Sequence, residues 1–331
     1  MNELLAARCD APAIGPSVAD ASVAMQRPRA ETNARFLART GVRAVRGCMA
    51  ALDRVSPHLA ARVGYRFLSV PPRHRPRPDE DRVRVAAQEW RIAFGRRWLH
   101  CYGWGRGPVV LLAHSWGGRG TQFGPWIEPL RNAGFRVVAF DYPAHGRSTG
   151  GDTDMVEMAE AIAAVSETCG PLHAVVGHSL GAATSLLAMR DFELRTGIFV
   201  SIACLSDFAW IADVAGDFLN LRPELRLRMR NLLVARYRGR VAWESLSTAD
   251  ILRSTPMKAL LIHDRDDREV PIGHALALSE AARHATLLTT TALGHRRILK
   301  DRQVIDAALA FIGSQALAAA PTDPPTLSPV N

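Results

Sequence analysis

The sequence predicts an α/β protein: a mostly parallel central sheet with helices on both faces and a small helical lid inserted late in the chain. Three observations carry this. Six short apolar runs rich in β-branched residues alternate with amphipathic stretches of helical length. The runs are apolar throughout rather than alternating, as strands buried on both faces are. Finally, Gly177-His178-Ser179-Leu180-Gly181 sets a tight, glycine-bracketed turn between one such run and the helix after it.

Taken in order, residues 1–30 mix Pro, Ala and Ser without periodicity and are expected to form a poorly ordered lead. From Thr32 to about Leu68 apolar positions recur at helical spacing, with a break at Ser56-Pro57. Residues 71–78, PPRHRPRP, read as a stiff, extended linker. Residues 1–85 are thus a helical and linker extension, partly disordered, ahead of an α/β domain at 86–316. Within that domain GWGRG at 103–107 reads as a hairpin turn, because a strand rather than a helix follows it. The expected strands are 108–113, 135–140, 173–176, 197–203, 257–262 and 285–290, and the expected helices 122–133, 155–168, 180–194, 274–283 and 301–312. Residues 206–250 interrupt the alternation, are helical in pattern and exceed a single crossover; they are read as the lid. The proline-rich tail 317–331 is expected to be disordered.

Composition narrows the function classes. No uninterrupted apolar run approaches the length of a membrane span, and the first apolar patch, Leu4–Ala7, is too short for a signal-peptide core. The five cysteines (Cys9, Cys48, Cys101, Cys169, Cys204) are odd in number and lack C-x-x-C spacing, which favours reduced thiols and a cytoplasmic location. The net charge of +9 is concentrated in residues 1–85, which hold 15 arginines against 8 acids. A basic surface bathed in solvent is the main reading, with no nucleic-acid partner expected. Weak attachment of the basic N-terminal region to a membrane surface is the secondary one.

The turn at 177–181 then acquires chemistry. Strand, sharp turn and helix is the setting of a nucleophile elbow, which projects Ser179 from a strained turn beside a helix N-terminus. A serine hydroxyl needs a base to take its proton and an acid to orient that base. Downstream, the strand ending at Ile262 runs into His263-Asp-Arg-Asp-Asp-Arg-Glu-Val-Pro271, and the last strand is followed by Gly294-His295. The order is Ser179, an aspartate, then His295. A tetrahedral intermediate also needs backbone N–H donors. One is expected from Leu180 and the other from the turn His114-Ser115-Trp116-Gly117-Gly118, at Trp116.

These motifs resemble a serine hydrolase of the α/β-hydrolase superfamily, in its esterase/lipase-like branch. Asp141-Tyr-Pro-Ala-His-Gly-Arg-Ser148 is similar to the family's D-x-P-G-H-G-x-S loop, and residues 263–271 to its H-G-x-x-D-x-x-V-P. The resemblance spans roughly residues 88–314 and implies Asp267 as the triad acid, with Asp207 the position some members use instead. Three positions depart from the pattern: Ser115, Ala144 and Asp264 each stand where the family has glycine. The resemblance implies a cofactor-free and metal-free enzyme. It would cleave a small-molecule carboxylic ester or related acyl bond through an acyl-enzyme. Thioester hydrolysis or acyl transfer from an anionic donor uses the same machinery, and a non-catalytic binding module is the reading from another class. The spacing of two between Arg226, Arg228 and Arg230 scatters them around a helix, so they are expected on a solvated outer face.

Overall fold

A computed structural model describes residues 40–314. The expectations for residues 1–30, for 32–39, for Cys9 and for the tail 317–331 lie outside the described residues. An eight-stranded sheet runs in the order β1-β2-β4-β3-β5-β6-β7-β8. The strands are β1 (Gln88–Phe94), β2 (Arg97–Trp104), β3 (Val109–Ala113), β4 (Arg136–Asp141), β5 (Leu172–His178), β6 (Thr196–Ile202), β7 (Lys258–Asp264) and β8 (Thr286–Thr290). Strands β3 to β8 are mutually parallel, and β1 and β2 are antiparallel additions at one edge.

Twelve α-helices accompany them among the described residues. Helices α1 (Thr40–Val55), α2 (Pro57–Leu68) and α3 (Pro78–Val85) precede the sheet, and Ser56 caps α2 with Pro57 in its first turn. Next come α4 (Gly124–Asn132), α5 (Met155–Cys169) and α6 (Leu180–Asp191), then α7 (Phe208–Leu219), α8 (Pro223–Arg236) and α9 (Thr248–Ser254). The last are α10 (Gly273–Ala281), α11 (Gly294–Arg297) and α12 (Arg302–Gly313).

The uninterrupted apolar strands are explained by where their side chains go. Val109, Leu111 and Ala113 of β3 enter a core shared with α5 and α6, while Val110 and Leu112 enter the opposite core with α4 and α12. A period-2 chain buried on both faces has no polar position to show. Strands β1 and β2 went unread in the sequence: β1 is largely exposed or half-buried, and β2, though buried over six of its eight residues, has His100 and Gly103 inside it and so gives no apolar run. The reading of 103–107 as a hairpin turn is corrected: β4 lies between β2 and β3, so the segment is a crossover. The hairpin joins β1 to β2 at Gly95-Arg96, with Gly95 at φ 55°.

Helices α7 and α8 leave the body between β6 and β7, within the segment 206–250 expected to be the lid. They do not stand alone. Met49, Ala60 and Ala61 of the N-terminal helices share a third core with Leu219, Leu221, Leu225 and Met229 of the lid. Asp154, the N-cap of α5, draws three parts together. Its carboxylate accepts from Tyr65 Oη of α2 (3.0 Å), Tyr237 Oη just after α8 (2.6 Å) and its own helix's Val156 and Glu157 amides.

Two loops at the carboxyl ends of β3 and β4 hold each other by reciprocal histidines. The Tyr142 amide donates to Nε2 of His114 (3.1 Å), and the Gly117 amide donates to Nε2 of His145 (3.0 Å). Each ring therefore carries its proton on Nδ1, which donates to Ser115 O and Pro143 O respectively. Asp141 organises the second loop, accepting from Gly120 N, Arg147 N and Tyr102 Oη. Ala144 lies at φ 64°, so one of the three departures from the glycine pattern carries left-handed strain.

Two predictions follow from this framework. A Cβ on Gly181 would overlap the carbonyl oxygens of Ala113 and His114, whereas one on Gly197 meets no atom within 4 Å. Gly181→Ala should cost about 3 kcal/mol and lower Tm by roughly 5–10 °C, while Gly197→Ala leaves it near wild type by calorimetry. The second concerns acid. Burial lowers the His145 and His274 pKa values from 6.5 to about 4, and those of His114 and His178 well below the ordinary value. Above about pH 6.5 these groups are neutral folded or unfolded and add no pH dependence. Below it the unfolded chain binds protons the folded chain refuses, so stability falls on the order of 1 kcal/mol per group per pH unit. Asp141, whose burial raises its pKa, works in the opposite direction at more acid pH. Tm should therefore decline from pH 7 to 5.5; a constant or rising Tm over that range rules the account out.

Candidate active site

Strand order makes the site. The chain leaves β3 for β4 on one side and later returns to β5 on the other, so a crevice opens where their carboxyl ends diverge. Ser179 follows β5 there, and Trp116 follows β3. Ser179 sits at φ 55°, ψ −122°, a conformation costing a non-glycine residue about 1–3 kcal/mol. Its amide donates to Ile202 O at 2.8 Å, tying the turn to the neighbouring strand end. A Cβ on Gly177 would overlap the Ala182 backbone, so both glycines are required by close approach.

His295, at the start of α11, is buried against this turn. Its Nδ1 lies 2.7 Å from Oδ2 of Asp267, in the loop after β7. The other carboxylate oxygen accepts from the Glu269 and Val270 amides at 2.8 and 2.9 Å, which fixes the carboxylate and leaves Oδ2 for the ring. An ionised carboxylate only accepts, so Nδ1 of His295 carries the proton and Nε2 is left as the basic nitrogen.

The sequence reading left out His178, the residue between Gly177 and Ser179. Nε2 of His178 donates to the His295 carbonyl at 2.9 Å, with the two rings 4.8 Å apart. Burial holds this imidazole neutral, so it carries a donor here without adding charge next to His295. Position x of G-x-S-x-G tolerates many residues, and only the tertiary contact reveals this one's use.

The other acids near these loops accept hydrogen bonds elsewhere. Asp264 accepts from Thr290 Oγ1, Leu293 N and Asp266 N, and Asp266 accepts from Ala292 N. Both clamp the turn that carries His295. Asp207 accepts from Ala209 N at 2.6 Å as the N-cap of α7, at the root of the lid.

A cavity of about 480 Å³ lies between body and lid. Trp116 and Leu180 form part of its wall, with Ile211, Val214 and Phe218 from α7 and Leu68 from α2. The expectation that the lid arginines lie on a solvated outer face is corrected for two of three. Arg226 and Arg230 are four residues apart, share one side of α8 and line the cavity, while Arg228 is exposed. Arg226 donates to Leu221 O and Asp217 (2.7 Å); Arg230 donates to Asp213 (2.7 Å) and lies 4.9 Å over the Trp243 ring. Among the described residues no group of three or more His, Cys, Asp or Glu is arranged to hold a metal ion, and no helix is long and apolar enough to cross a membrane.

Known proteins share this fold. Residues 119–308 match the model of the "Alpha/beta hydrolase family". Human protein ABHD12B is 26% identical over 170 residues, 48% of this chain and 45% of that protein. The pimeloyl-[acyl-carrier protein] methyl ester esterase of Methylococcus capsulatus is 39% identical over 90 residues, 26% of this chain and 33% of the enzyme. The chain thus spans less than half the length of these curated relatives. Among solved structures, a putative lipase from Acinetobacter baumannii superposes with TM-score 0.54 at 16% identity, over 72% of this chain and 97% of its own. A bromoperoxidase from Bacillus anthracis does so with TM-score 0.53 at 16% identity, over 69% and 100%. Such identities speak to the fold alone. With sheet order, the serine turn and a family match over more than half its residues, this chain belongs to the alpha/beta hydrolase family.

Proposed function

We propose that the protein is a serine hydrolase of carboxylic esters, working through Ser179, His295 and Asp267. The observation that carries this reading is the buried Asp267–His295 pair, anchored through His178 to the turn from which Ser179 projects. In this mechanism Nε2 of His295 takes the Ser179 proton as Oγ attacks the acyl carbon. Asp267 keeps the ring oriented and stabilises the imidazolium that forms. The amides of Leu180 and Trp116 receive the oxyanion, Leu180 at the N-terminus of α6, where the helix dipole adds its field. The imidazolium then protonates the leaving alkoxide, and water repeats the cycle on the acyl-enzyme. The aligned stretch of a relative named as a methyl ester esterase agrees with this chemistry.

The cavity favours a neutral, apolar acyl ester of short to medium length. Its wall is mostly aliphatic and aromatic, and of the three arginines that line it Arg226 and Arg230 already face Asp217 and Asp213, while Arg46 donates to Phe218 O. An anionic acyl donor would have to compete with those carboxylates.

Three measurements test the reading. Ser179→Ala should lower ester turnover on the order of 10⁴-fold or more with the fold intact, and a fluorophosphonate should label the wild type only. Labelling that persists in the variant would place the nucleophile elsewhere. Asp267→Asn should reduce kcat by roughly 10³–10⁴-fold with KM little changed, whereas Asp207→Asn, a helix cap, should affect stability more than turnover. KM for p-nitrophenyl butyrate should change little with ionic strength, since screening acts on exposed charge attraction and not on apolar burial. A steep rise in KM with salt, abolished in Arg226→Ala/Arg230→Ala, would favour an anionic donor.

A further inference from the structure

We propose that the outward face of α2, with the arginine-rich segment after it, is a docking surface for an anionic lipid membrane. The helix distributes its residues in an unusual way. Small residues, Ala60, Ala61 and Gly64, face the lid, and Gly64 lets Met229 of α8 approach closely. Its large aliphatic and aromatic residues face water instead: Leu59, Val63 and Phe67 are 48%, 42% and 47% exposed. Four-residue spacing lines them up as one row. Val55 before the helix and Val70 after it extend the exposed apolar surface, so five of the nine large apolar side chains exposed among the described residues fall within this stretch. A contiguous apolar patch of this kind marks an interaction surface rather than ordinary scatter.

The charge around the row selects the occupant. Residues 54–78 contain six arginines (54, 62, 66, 73, 75 and 77) and no aspartate or glutamate, and all six are exposed. Arg66 pairs with Asp152 at 3.2 Å, and Arg73 donates to Ala144 O and Gly150 O. Arg62 and Arg66 lie along one edge of the apolar row on the helix itself. A nucleic acid would use the cations but gain nothing from the row Leu59, Val63 and Phe67. A bilayer with anionic headgroups uses both: the row sinks below the headgroups while the guanidiniums remain at the phosphates. The opposite face of α2 points the same way, since Tyr65 and Leu68 line the cavity that reaches Leu180 and Trp116. A membrane on the outer face would lie about one helix diameter, roughly 10 Å, from the cavity.

Co-sedimentation of the full chain with vesicles tests this. The vesicles are phosphatidylcholine alone, or phosphatidylcholine and phosphatidylglycerol in equal parts. The wild type should bind the anionic vesicles at least about tenfold more tightly than the neutral ones. Leu59→Ser/Val63→Ser/Phe67→Ser should weaken binding to anionic vesicles by on the order of tenfold or more. Arg54→Gln/Arg62→Gln/Arg75→Gln should abolish the preference for the anionic lipid. Both variants change exposed side chains outside the cavity, so Tm and turnover of a soluble p-nitrophenyl ester serve as controls for folding. Absence of vesicle binding, indifference to lipid charge, or a triple serine variant that binds as well as wild type overturns the proposal. A wild-type dimer in sedimentation velocity that becomes monomeric in the serine variant overturns it too, in favour of a second copy of the chain on this face.

Discussion

Ser179 is held at φ 55°, ψ −122°, and much of the surrounding structure exists to hold it there. The strain is local but its support is not. The Ser179 amide bonds to the end of β6, Gly177 gives way to Ala182, and Gly181 lets α6 start against the carbonyls that end β3. Three strand ends and one helix start thereby meet at the turn 177–181. Strain of this kind persists only when the surroundings over-determine it, and here they do so through close backbone contacts rather than side-chain packing.

The histidines show how polarity is used where water is excluded. His114 and His145 join two loops as neutral rings, each accepting an amide on Nε2 and donating through Nδ1. His178 does similar work beside His295. A lysine or arginine in these places would bring a charge to be desolvated, and an aliphatic residue would strand backbone N–H groups. Neutral imidazole supplies donor and acceptor from one planar ring. The arrangement depends on those rings remaining unprotonated, which burial ensures by lowering their pKa values.

The lid is half of a larger roof. Helices α1 and α2 close over α8 through Met49, Ala60 and Met229, and the Asp154 carboxylate gathers hydroxyls from α2 and from the end of α8 onto the first turn of α5. The N-terminal extension therefore contributes wall to the cavity, through Arg46, Tyr65 and Leu68. One helix, α2, meets the cavity on one side and solvent on the other. Its sequence serves two surfaces at once, which explains why its larger apolar residues are not the buried ones.

The sequence by itself determined the layered architecture. Doubly buried strands must be apolar throughout, and the glycines around Ser179 must be small, so both leave marks that depend only on neighbours along the chain. The chain order of Ser179, the acids after β7 and His295 was legible for the same reason: each follows a strand that could be read. Strands β1 and β2 were not, because arginine, histidine, glycine and other polar residues interrupt their apolar positions. Among Asp264, Asp266 and Asp267 only the resemblance of residues 263–271 to a family motif pointed to Asp267; the residues themselves did not separate the three. Three acids within four residues look alike until the fold sets two against the turn at 290–293 and one against the His295 ring. The same holds for Arg226 and Arg230, for His178, and for the N-terminal helices. Their partners lie far away in the chain, and a long-range contact between polar groups has no periodicity to announce it. Hydrophobic pattern is a local signal set by burial on a repeating element, whereas pairing of polar side chains is decided only when tertiary structure brings their elements together.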